Sequence, residues 1–333
     1  MFGFDIGTYE LKIAVYEAGK VRKLVSAEMP ENLIKDGNIT SYEAMADLIK
    51  HTLKVNKLRG TKKASVILPA DQVFFRRVTT PAMTVSQLNV NLPYEFRDYL
   101  TMDKSKYFYD YCVNSIKNDE EGNPSEMDLT IAAISKETIA DYKNMFKRIG
   151  FKLTGAIPAE CAYANVLRNC SAKSSDEYCF LDLGYTATRL SIFTGTTFET
   201  SRSMDSGLFS IEEAIADQQS VDRHVAATYL VANHENVQES EAAQNVYSAI
   251  SLETRKALNF YSFNNRESNL KDAYCCGGGV NIPNLLKSLN EALDFNLHPA
   301  GNLLPESVKN LTDSDPGAYT LAIGAAMQAK EGK

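Results

Sequence analysis

One pattern of apolar and polar residues occurs twice, near the start of the chain and again after its middle. Across residues 5–16 an Asp-x-Gly follows an apolar run, and a short polar turn, a basic residue and an alternating apolar run come next. Residues 182–193 repeat this order without a gap. Apolar, β-rich runs on both sides of a glycine turn are typical of hairpins. The repeat therefore predicts two related domains, each containing such a hairpin.

Between and after the hairpins, the periodicity predicts further strands and helices. Met45, Leu48, Ile49 and Leu53 recur at helical spacing, which indicates a helix over residues 42–53. The other predicted elements are strands over 64–69, 73–79 and 197–202, a mainly helical region to residue 261, a strand, glycine turn and helix over 272–286, and a helix over 316–327.

Residues 81–152 follow a different pattern and predict a separate αββα piece. Thr84 to Gln87 can cap a helix that continues past Pro93 towards residue 100. Two strands, over 107–113 and 127–134, are joined by a polar turn, and an amphipathic helix ends near Gly150. We therefore expect a first domain of residues 1–80 and 153–172, an insertion of residues 81–152, and a second domain of residues 173–330.

Composition narrows the class of protein. A chain of 333 residues is long enough for two domains, and its net charge of −7 argues against nucleic-acid binding. The six cysteines show neither zinc-site spacing nor a disulfide framework, which favours a reducing, cytoplasmic location. The first strand begins almost at once, so we expect no signal peptide. No apolar run approaches the roughly 20 residues of a membrane span.

The aspartates and glycines of the repeat are candidates for binding. Asp5 and Asp182 stand at equivalent strand ends, where an aspartate can hold a cation through water. The turn after each one offers backbone N–H groups to phosphate oxygens. The alternative is a structural turn in which Asp caps its own backbone. The chain has neither a P-loop nor a Gly-x-Gly-x-x-Gly after a strand, so the repeat proposes a nucleotide clamped between two halves.

Several segments together resemble a known family. They are residues 4–8 with Lys12, 94–100, 181–186, 202–207, 253–261, 276–280 and 322–326. They resemble the two phosphate loops, the helices and the adenosine loop of the actin-like ATPases. The pattern is most similar to the PilM family of type IV pilus assembly proteins, which is related to the division protein FtsA. The resemblance covers nearly the whole chain and implies an α/β, actin-like (ribonuclease H-like) two-domain fold with an inserted αββα subdomain.

The resemblance also implies ATP and Mg²⁺ as cofactors. Asp5 and Asp182 would hold the metal ion. The residues that would contact the nucleotide are Gly7, Thr8, Lys12, Gly184, Tyr185 and Thr186 at the phosphates, and Glu253, Lys256, Gly277, Gly278, Gly279 and Ile282 at the adenosine.

Two positions depart from the family pattern. Relatives often carry Glu-Pro on the helix that joins the halves, whereas a gapless match gives Ala159-Glu160 here. Glu160 is the candidate catalytic base, and at most weak ATPase activity is expected. Arg189 stands where relatives usually have a small polar residue. It is either a phosphate contact or a surface residue, and its alternation with Leu190 and Ile192 favours the surface.

The function that the resemblance implies is that of an ATP-binding scaffold in type IV pilus assembly. Such a protein lies at the inner face of the membrane and docks the N-terminal cytoplasmic tail of a membrane-anchored, PilN-like protein between its first domain and the insertion. Other pilus assembly proteins are further expected partners. The alternatives are an FtsA-like filament protein, which needs a C-terminal amphipathic helix, and an actin-core ATPase or kinase for a small molecule. The sequence leaves the oligomeric state open, including a homo-oligomer.

Overall fold

The computed structural model describes residues 1–60, 62–100 and 103–328. The strands are β1 (Phe2–Ile6), β2 (Glu10–Glu17), β3 (Lys20–Glu28), β4 (Ile34–Lys35), β5 (Asn38–Ile39), β6 (Lys63–Ile67), β7 (Val73–Pro81), β8 (Tyr107–Asn118), β9 (Pro124–Ser135), β10 (Lys152–Ile157), β11 (Glu177–Leu183), β12 (Thr188–Thr194), β13 (Thr197–Met204), β14 (Asp272–Cys276) and β15 (Asn296–Pro299). The α-helices are α1 (Tyr42–Val55), α2 (Val85–Asn91), α3 (Lys136–Arg148), α4 (Ala159–Asn169), α5 (Leu208–Gln219), α6 (Arg223–Ala232), α7 (Glu241–Asn264), α8 (Pro283–Ala292) and α9 (Thr320–Ala326).

Two five-stranded sheets share one topology. The first has the strand order β10-β6-β1-β2-β3 and the second the order β13-β12-β11-β14-β15. In each, the hairpin and the strand after it are antiparallel, while the other two strands run parallel to the first hairpin strand. The register is also equivalent, because Asp5 pairs with Lys12 and Asp182 pairs with Arg189. The repeat in the sequence is thus a repeat of the fold.

Two helices cross between the halves. Helix α9 comes late in the chain but packs on β1, where a Cβ on Gly3 would lie 2.0 Å from the carbonyl oxygen of Ala322. Helix α4 packs against the second sheet, and the ring of Tyr163 stacks on Phe180 with centroids 4.3 Å apart. The two helices touch at Gly324, where a Cβ would lie 2.3 Å from the carbonyl oxygen of Ala162. The sequence therefore uses glycine where the backbones come closest.

A third sheet, with the order β7-β9-β8, lies beside the first one. We expected the strand that begins at Val73 to belong to the first domain, but it pairs with β9 along its whole length. Helix α3, expected in the insertion, instead packs Tyr142, Met145 and Phe146 into the core of the first domain. The reason is topological: parallel strands β6 and β10 need a crossover helix on the sheet, and α3 provides it.

The helical predictions hold except at one end. Thr84 forms a capping box with Gln87 at the start of α2. This helix ends at Asn91 and a 3₁₀ turn, Leu92–Tyr94, follows, so it does not continue to residue 100. Pro93 explains the break, because it has no N–H to donate to the preceding turn. Among the described residues, no helix combines the length and apolar character that crossing a membrane requires. Residues 329 and 330, the end of the expected second domain, lie outside the described ranges, as do residues 331–333.

Candidate functional site

The turns of both hairpins open into one cavity of about 350 Å³ between the two halves. This cleft lies where β1 and β11 end, and its volume is in the range of small-molecule sites. The predicted residues that line it are Asp5, Gly7, Thr8, Glu160, Asp182, Gly184, Tyr185, Thr186 and Gly277. The structure therefore brings together both metal candidates and most of the predicted phosphate contacts.

Asp5 lies half-buried at the end of β1. Burial raises the pKa of its carboxyl group to about 6, and Lys12 opposes that rise while Asp182 adds to it. Lys12 is only 9% exposed and stands opposite Asp5 in the hairpin register. Its Nζ lies 3.8 Å from Glu10 Oε2. Lys12 thus supplies positive charge behind the cleft. It lies opposite Asp5, whose ionised form is disfavoured by burial.

Asp182 is enclosed more tightly, with 7% of its surface exposed. The hydroxyl of Tyr163 donates a hydrogen bond of 3.2 Å to Asp182 Oδ2 and lies 3.5 Å from Cys276 Sγ. Gly277 has φ of +83°, and a Cβ there would lie 2.3 Å from Asp182 Oδ1. Both its conformation and this close approach require glycine. Gly277 therefore lines the cleft and packs directly against the carboxylate of Asp182.

Each turn closes with one internal backbone bond. The N–H of Gly7 donates to Glu10 O at 3.0 Å, and that of Gly184 donates to Ala187 O at 3.1 Å. We expected each turn to leave backbone N–H groups for phosphate oxygens, and the N–H groups of the two glycines are used by the turn itself. Within the described residues, the backbone N–H groups of Thr8 and Thr186 donate to no protein acceptor. The residues that follow each glycine thus carry the donors available to a ligand.

Tyr185 connects the two turns. Its ring lies against that of Tyr9, with centroids 4.8 Å apart, so the hairpins touch across the mouth of the cleft. Its hydroxyl donates to Glu212 Oε2 at 2.7 Å and accepts from Arg223 at 2.6 Å. Burial, and then the bond to Glu212, raises the pKa of Tyr185. Its side-chain oxygen therefore already has hydrogen-bond partners, and its carbonyl oxygen accepts from the N–H of Phe209, so among the described residues only its backbone N–H has no protein partner.

Glu160 and Arg189 line the same cleft. Glu160 lies in the first turn of α4, where burial raises the pKa of its carboxyl group and the charge of Arg189 opposes that rise. Our expectation that Arg189 is a surface residue is wrong, because its side chain lies half-buried in the cleft. The alternation with Leu190 and Ile192 holds, but the opposite face of β12 is covered by the other half of the molecule. The informative signal was the equivalence of Arg189 with Lys12 in the repeat.

Apart from Gly277, the residues predicted for the adenosine end are not part of the cleft lining. Lys256 and Glu253 are exposed on α7 and pair with each other at 2.7 Å. Gly279 packs on Leu183, since a Cβ there would lie 2.5 Å from Leu183 Cβ, and Ile282 is buried in the core. Gly278 has more room, because a Cβ there would lie 3.3 Å from Leu208 Cδ1. The nucleotide contacts of these residues stay predictions.

A larger cavity of about 660 Å³ lies between the first and third sheets. We call it the groove, and it is lined by β8, β10, α4 and the turn between β12 and β13. Strand β8 is an edge of the third sheet and β10 an edge of the first, so two strand edges border it. The sequence predicted a seam between the insertion and the first domain, but not the contribution of Thr197 and Phe198 from the second.

The groove has an apolar lining with charges at intervals. Phe75, Ala132 and Ile157 provide apolar surface, while Asp110 and Arg168 are among the charged residues. Phe75 contacts Phe198 of the second half, with ring centroids 4.9 Å apart. Arg77 on β7 pairs with both Asp128 on β9 and Glu199 on β13. The third sheet is thus attached to the second half through Phe75 and Arg77.

The cleft and the groove adjoin each other. Leu68, Val73, Phe75 and Glu160 line both cavities. One side chain can therefore face a ligand in the cleft and a ligand in the groove.

Two halves of identical sheet topology around a cleft, each with an Asp-x-Gly turn, define the actin-like fold. The structure is similar to EutJ, an ethanolamine utilization protein from Carboxydothermus hydrogenoformans (TM-score 0.61, 12% identity, 99% of this chain and 90% of that one). It is also similar to MreB5 of Spiroplasma citri bound to ADP (TM-score 0.51, 14% identity, 97% and 94%). At such identities these matches show the fold alone.

The inserted sheet narrows the class further. The structure matches a PilM-PilN type IV pilus biogenesis complex with a TM-score of 0.83 and 19% identity, over 98% of this chain and 97% of that one. The sequence model of the family described as type IV pilus assembly protein PilM matches residues 3–330, so the chain belongs to this family. No protein with a curated description matches the sequence. The predicted family and fold are confirmed, and the division-protein and kinase alternatives are not favoured.

Proposed function

We propose that this protein is a cytoplasmic, ATP-binding scaffold that docks the N-terminal tail of a membrane-anchored, PilN-like protein in its groove. The observation that carries the proposal is the position of the groove, between two strand edges and next to the cleft. A relative of the same fold is known as a PilM-PilN complex, which supports the choice of partner.

In the cleft, ATP with Mg²⁺ is the ligand that fits the residues present. The donors of Thr8 and Thr186 face phosphate oxygens from either side, and Lys12 offsets phosphate charge. Asp5 and Asp182 would hold the magnesium ion. The adenosine would lie towards Gly277 and Gly278. MreB5, a neighbour in fold, is bound to ADP, which supports a nucleotide here.

The carboxylates fit Mg²⁺ but not a cage made by protein alone. Within the described ranges no group of three or more His, Cys, Asp or Glu residues could hold a metal ion. Magnesium commonly binds through one or two carboxylates, several waters and substrate phosphates. Asp5 and Asp182 on opposite sides of one cleft meet that requirement, so the ion would bind together with the nucleotide. When bound, it would neutralise phosphate charge.

In the groove, an extended peptide is the ligand that the geometry favours. Strand edges carry backbone donors and acceptors that a further strand can pair with, and pockets between them can select side chains. The edges of β8 and β10 border this groove, and its lining is mainly apolar. A short tail preceding a membrane span supplies such a segment, and its anchor would hold this protein at the membrane.

The test is peptide binding measured by fluorescence anisotropy. The probe is the labelled N-terminal tail of the PilN-like protein from the same pilus system, with and without Mg-ATP. Cys112 is exposed on β8 and lines the groove, so Cys112→Arg should weaken binding about tenfold or more. Ile116→Arg places the same side chain on the same strand outside the groove and should change binding less than about twofold.

Two outcomes would count against the proposal: no binding of the tail by the wild-type protein, or equal loss in both variants. Point variants are preferable to deleting residues 81–152, because that deletion removes the crossover helix α3. Calorimetry with Mg-ATP tests the cleft separately, and an absence of binding there would remove the nucleotide from the proposal.

A further inference from the structure

The strongest unexplained feature of the cleft is Arg189. Its Nε is buried and has no hydrogen-bond partner in the part of the chain that the structure describes. No ion pair within 4.0 Å forms between Arg189 and a described carboxylate either. A buried donor without an acceptor destabilises the protein, and more so when the donor is charged. The guanidinium group is therefore placed for an acceptor that the protein itself does not provide.

The symmetry of the fold indicates what that acceptor is. In the strand register, Arg189 lies opposite Asp182 in the second hairpin, as Lys12 lies opposite Asp5 in the first. The repeat thus puts one cation beside each of the two aspartates. Lys12 is assigned to phosphate by the proposed function, on which this inference rests. The equivalent position in the other half then faces the same ligand from the opposite side.

We propose that Arg189 binds the terminal phosphate of the nucleotide and makes the cleft selective for a triphosphate over a diphosphate. The planar guanidinium can donate two hydrogen bonds to one phosphate group.

The order of the strands supports the terminal rather than an inner phosphate. In the second sheet, β11 lies between β14 and β12. The adenosine is proposed to lie beside Gly277, which follows β14. A nucleotide that extends from there across the end of β11 passes Asp182 and reaches β12, the strand of Arg189. The part of the ligand farthest from the base therefore meets the guanidinium group.

A structural role is the competing explanation. Burial is the largest influence on the pKa values of Asp5 and Glu160 and raises both, while the charge of Arg189 lowers them. If Arg189 served only to balance these carboxylates, its loss would destabilise the empty protein and weaken all nucleotides alike. The two explanations therefore differ in what they predict for ATP relative to ADP.

The experiment compares calorimetric affinities for Mg-ATP, Mg-ADP and tripolyphosphate, together with the melting temperature of the empty protein. Arg189→Met should weaken ATP and tripolyphosphate by about tenfold to a hundredfold and leave ADP within about twofold. Arg189→Lys keeps the charge but loses the planar guanidinium group that donates two hydrogen bonds to one phosphate. Its ATP affinity should lie between those of wild type and Arg189→Met. Arg266→Met removes an equal charge from an exposed site of the same half and should change none of these values.

Equal weakening of ATP and ADP by Arg189→Met would overturn the inference and leave the proposed function intact. Unchanged ATP affinity in a variant with a normal melting temperature would do the same. If wild type binds neither nucleotide, the proposed function fails first. Should Arg189→Met not fold, Arg189→Lys decides: a ratio of ATP to ADP affinity equal to that of wild type would overturn the inference.

Discussion

Asp5 and Asp182 end equivalent strands of two sheets with the same topology, yet their surroundings are unequal. Asp182 is buried, accepts a hydrogen bond from Tyr163 and lies against the backbone of Gly277. Asp5 is half-buried, and among the described residues no side chain or backbone group donates a hydrogen bond to its carboxylate. Burial raises the pKa of Asp5, and within the described segments no hydrogen bond of the kind that Asp182 accepts opposes that rise. A repeated motif thus fixes where a carboxylate lies, while its neighbours decide whether it is satisfied within the protein or left for a ligand.

Because Asp182 is tightly packed, adding atoms beside it should have the largest effect on stability and on ATP binding. Gly277→Ala is expected to destabilise the protein by about 3 kcal/mol or more and to abolish ATP binding, because its Cβ meets Asp182 and the positive φ is strained. Gly278→Ala is the matched control, since its Cβ would approach only Leu208 Cδ1, at 3.3 Å. Urea denaturation measures the stability of both variants, and calorimetry measures their ATP binding. Similar losses in the two variants would mean that Asp182 is less confined than described.

Removing the carboxylate of Asp182 should have the next largest effect on stability. Asp182→Ala leaves the buried hydroxyl of Tyr163 without this acceptor, which should cost about 1–3 kcal/mol in the free energy of unfolding. The double variant with Tyr163→Phe should recover part of that loss, because the orphaned donor is gone. The full cycle of four proteins is measured by denaturation. Strictly additive losses would show that the two groups are not coupled.

Asp5 should behave in the opposite way. Its folded pKa of about 6 lies above the ordinary value of 3.8, so the folded state loses stability as pH rises through this interval. Asp5→Asn does not titrate and should be more stable than wild type at pH 7 by on the order of 1–2 kcal/mol, with the difference vanishing below about pH 4. Denaturation at both pH values provides the check, and calorimetry should show weaker Mg-ATP binding. A variant that is less stable at pH 7 would remove the contrast with Asp182.

The sequence predicted those features that depend on neighbouring residues. Each hairpin follows from an apolar run, an Asp-x-Gly and a turn, and the capping box at Thr84 follows from four consecutive residues. The gapless repeat then predicted that Asp5 and Asp182 stand at equivalent strand ends, and both line one cleft in the structure. Local patterning was sufficient because it determines both the strand ends and their side-chain direction.

What the sequence could not predict depends on contacts between distant segments. Alternation along β12 placed Arg189 away from the core, but it carries no information on what covers the other face. Tyr185 was assigned to the phosphates, but nothing in the sequence indicated that Glu212 and Arg223 from two later helices hold its hydroxyl. The packing of α3 on the first sheet follows from the parallel pairing of β6 with β10, which is set by topology rather than by the helix's own residues.

The insertion of the third sheet between β6 and β10 also has a consequence for folding kinetics. The edge pair of parallel strands is local in the second half, where Asp272 pairs with Asn296, whereas in the first half the equivalent pair joins Lys63 and Lys152. Closing a loop roughly four times longer costs about 1 kcal/mol more chain entropy. Non-local pairs of this kind form late. Strand β10, which borders the groove, is therefore expected to join its sheet later than β15 joins β14.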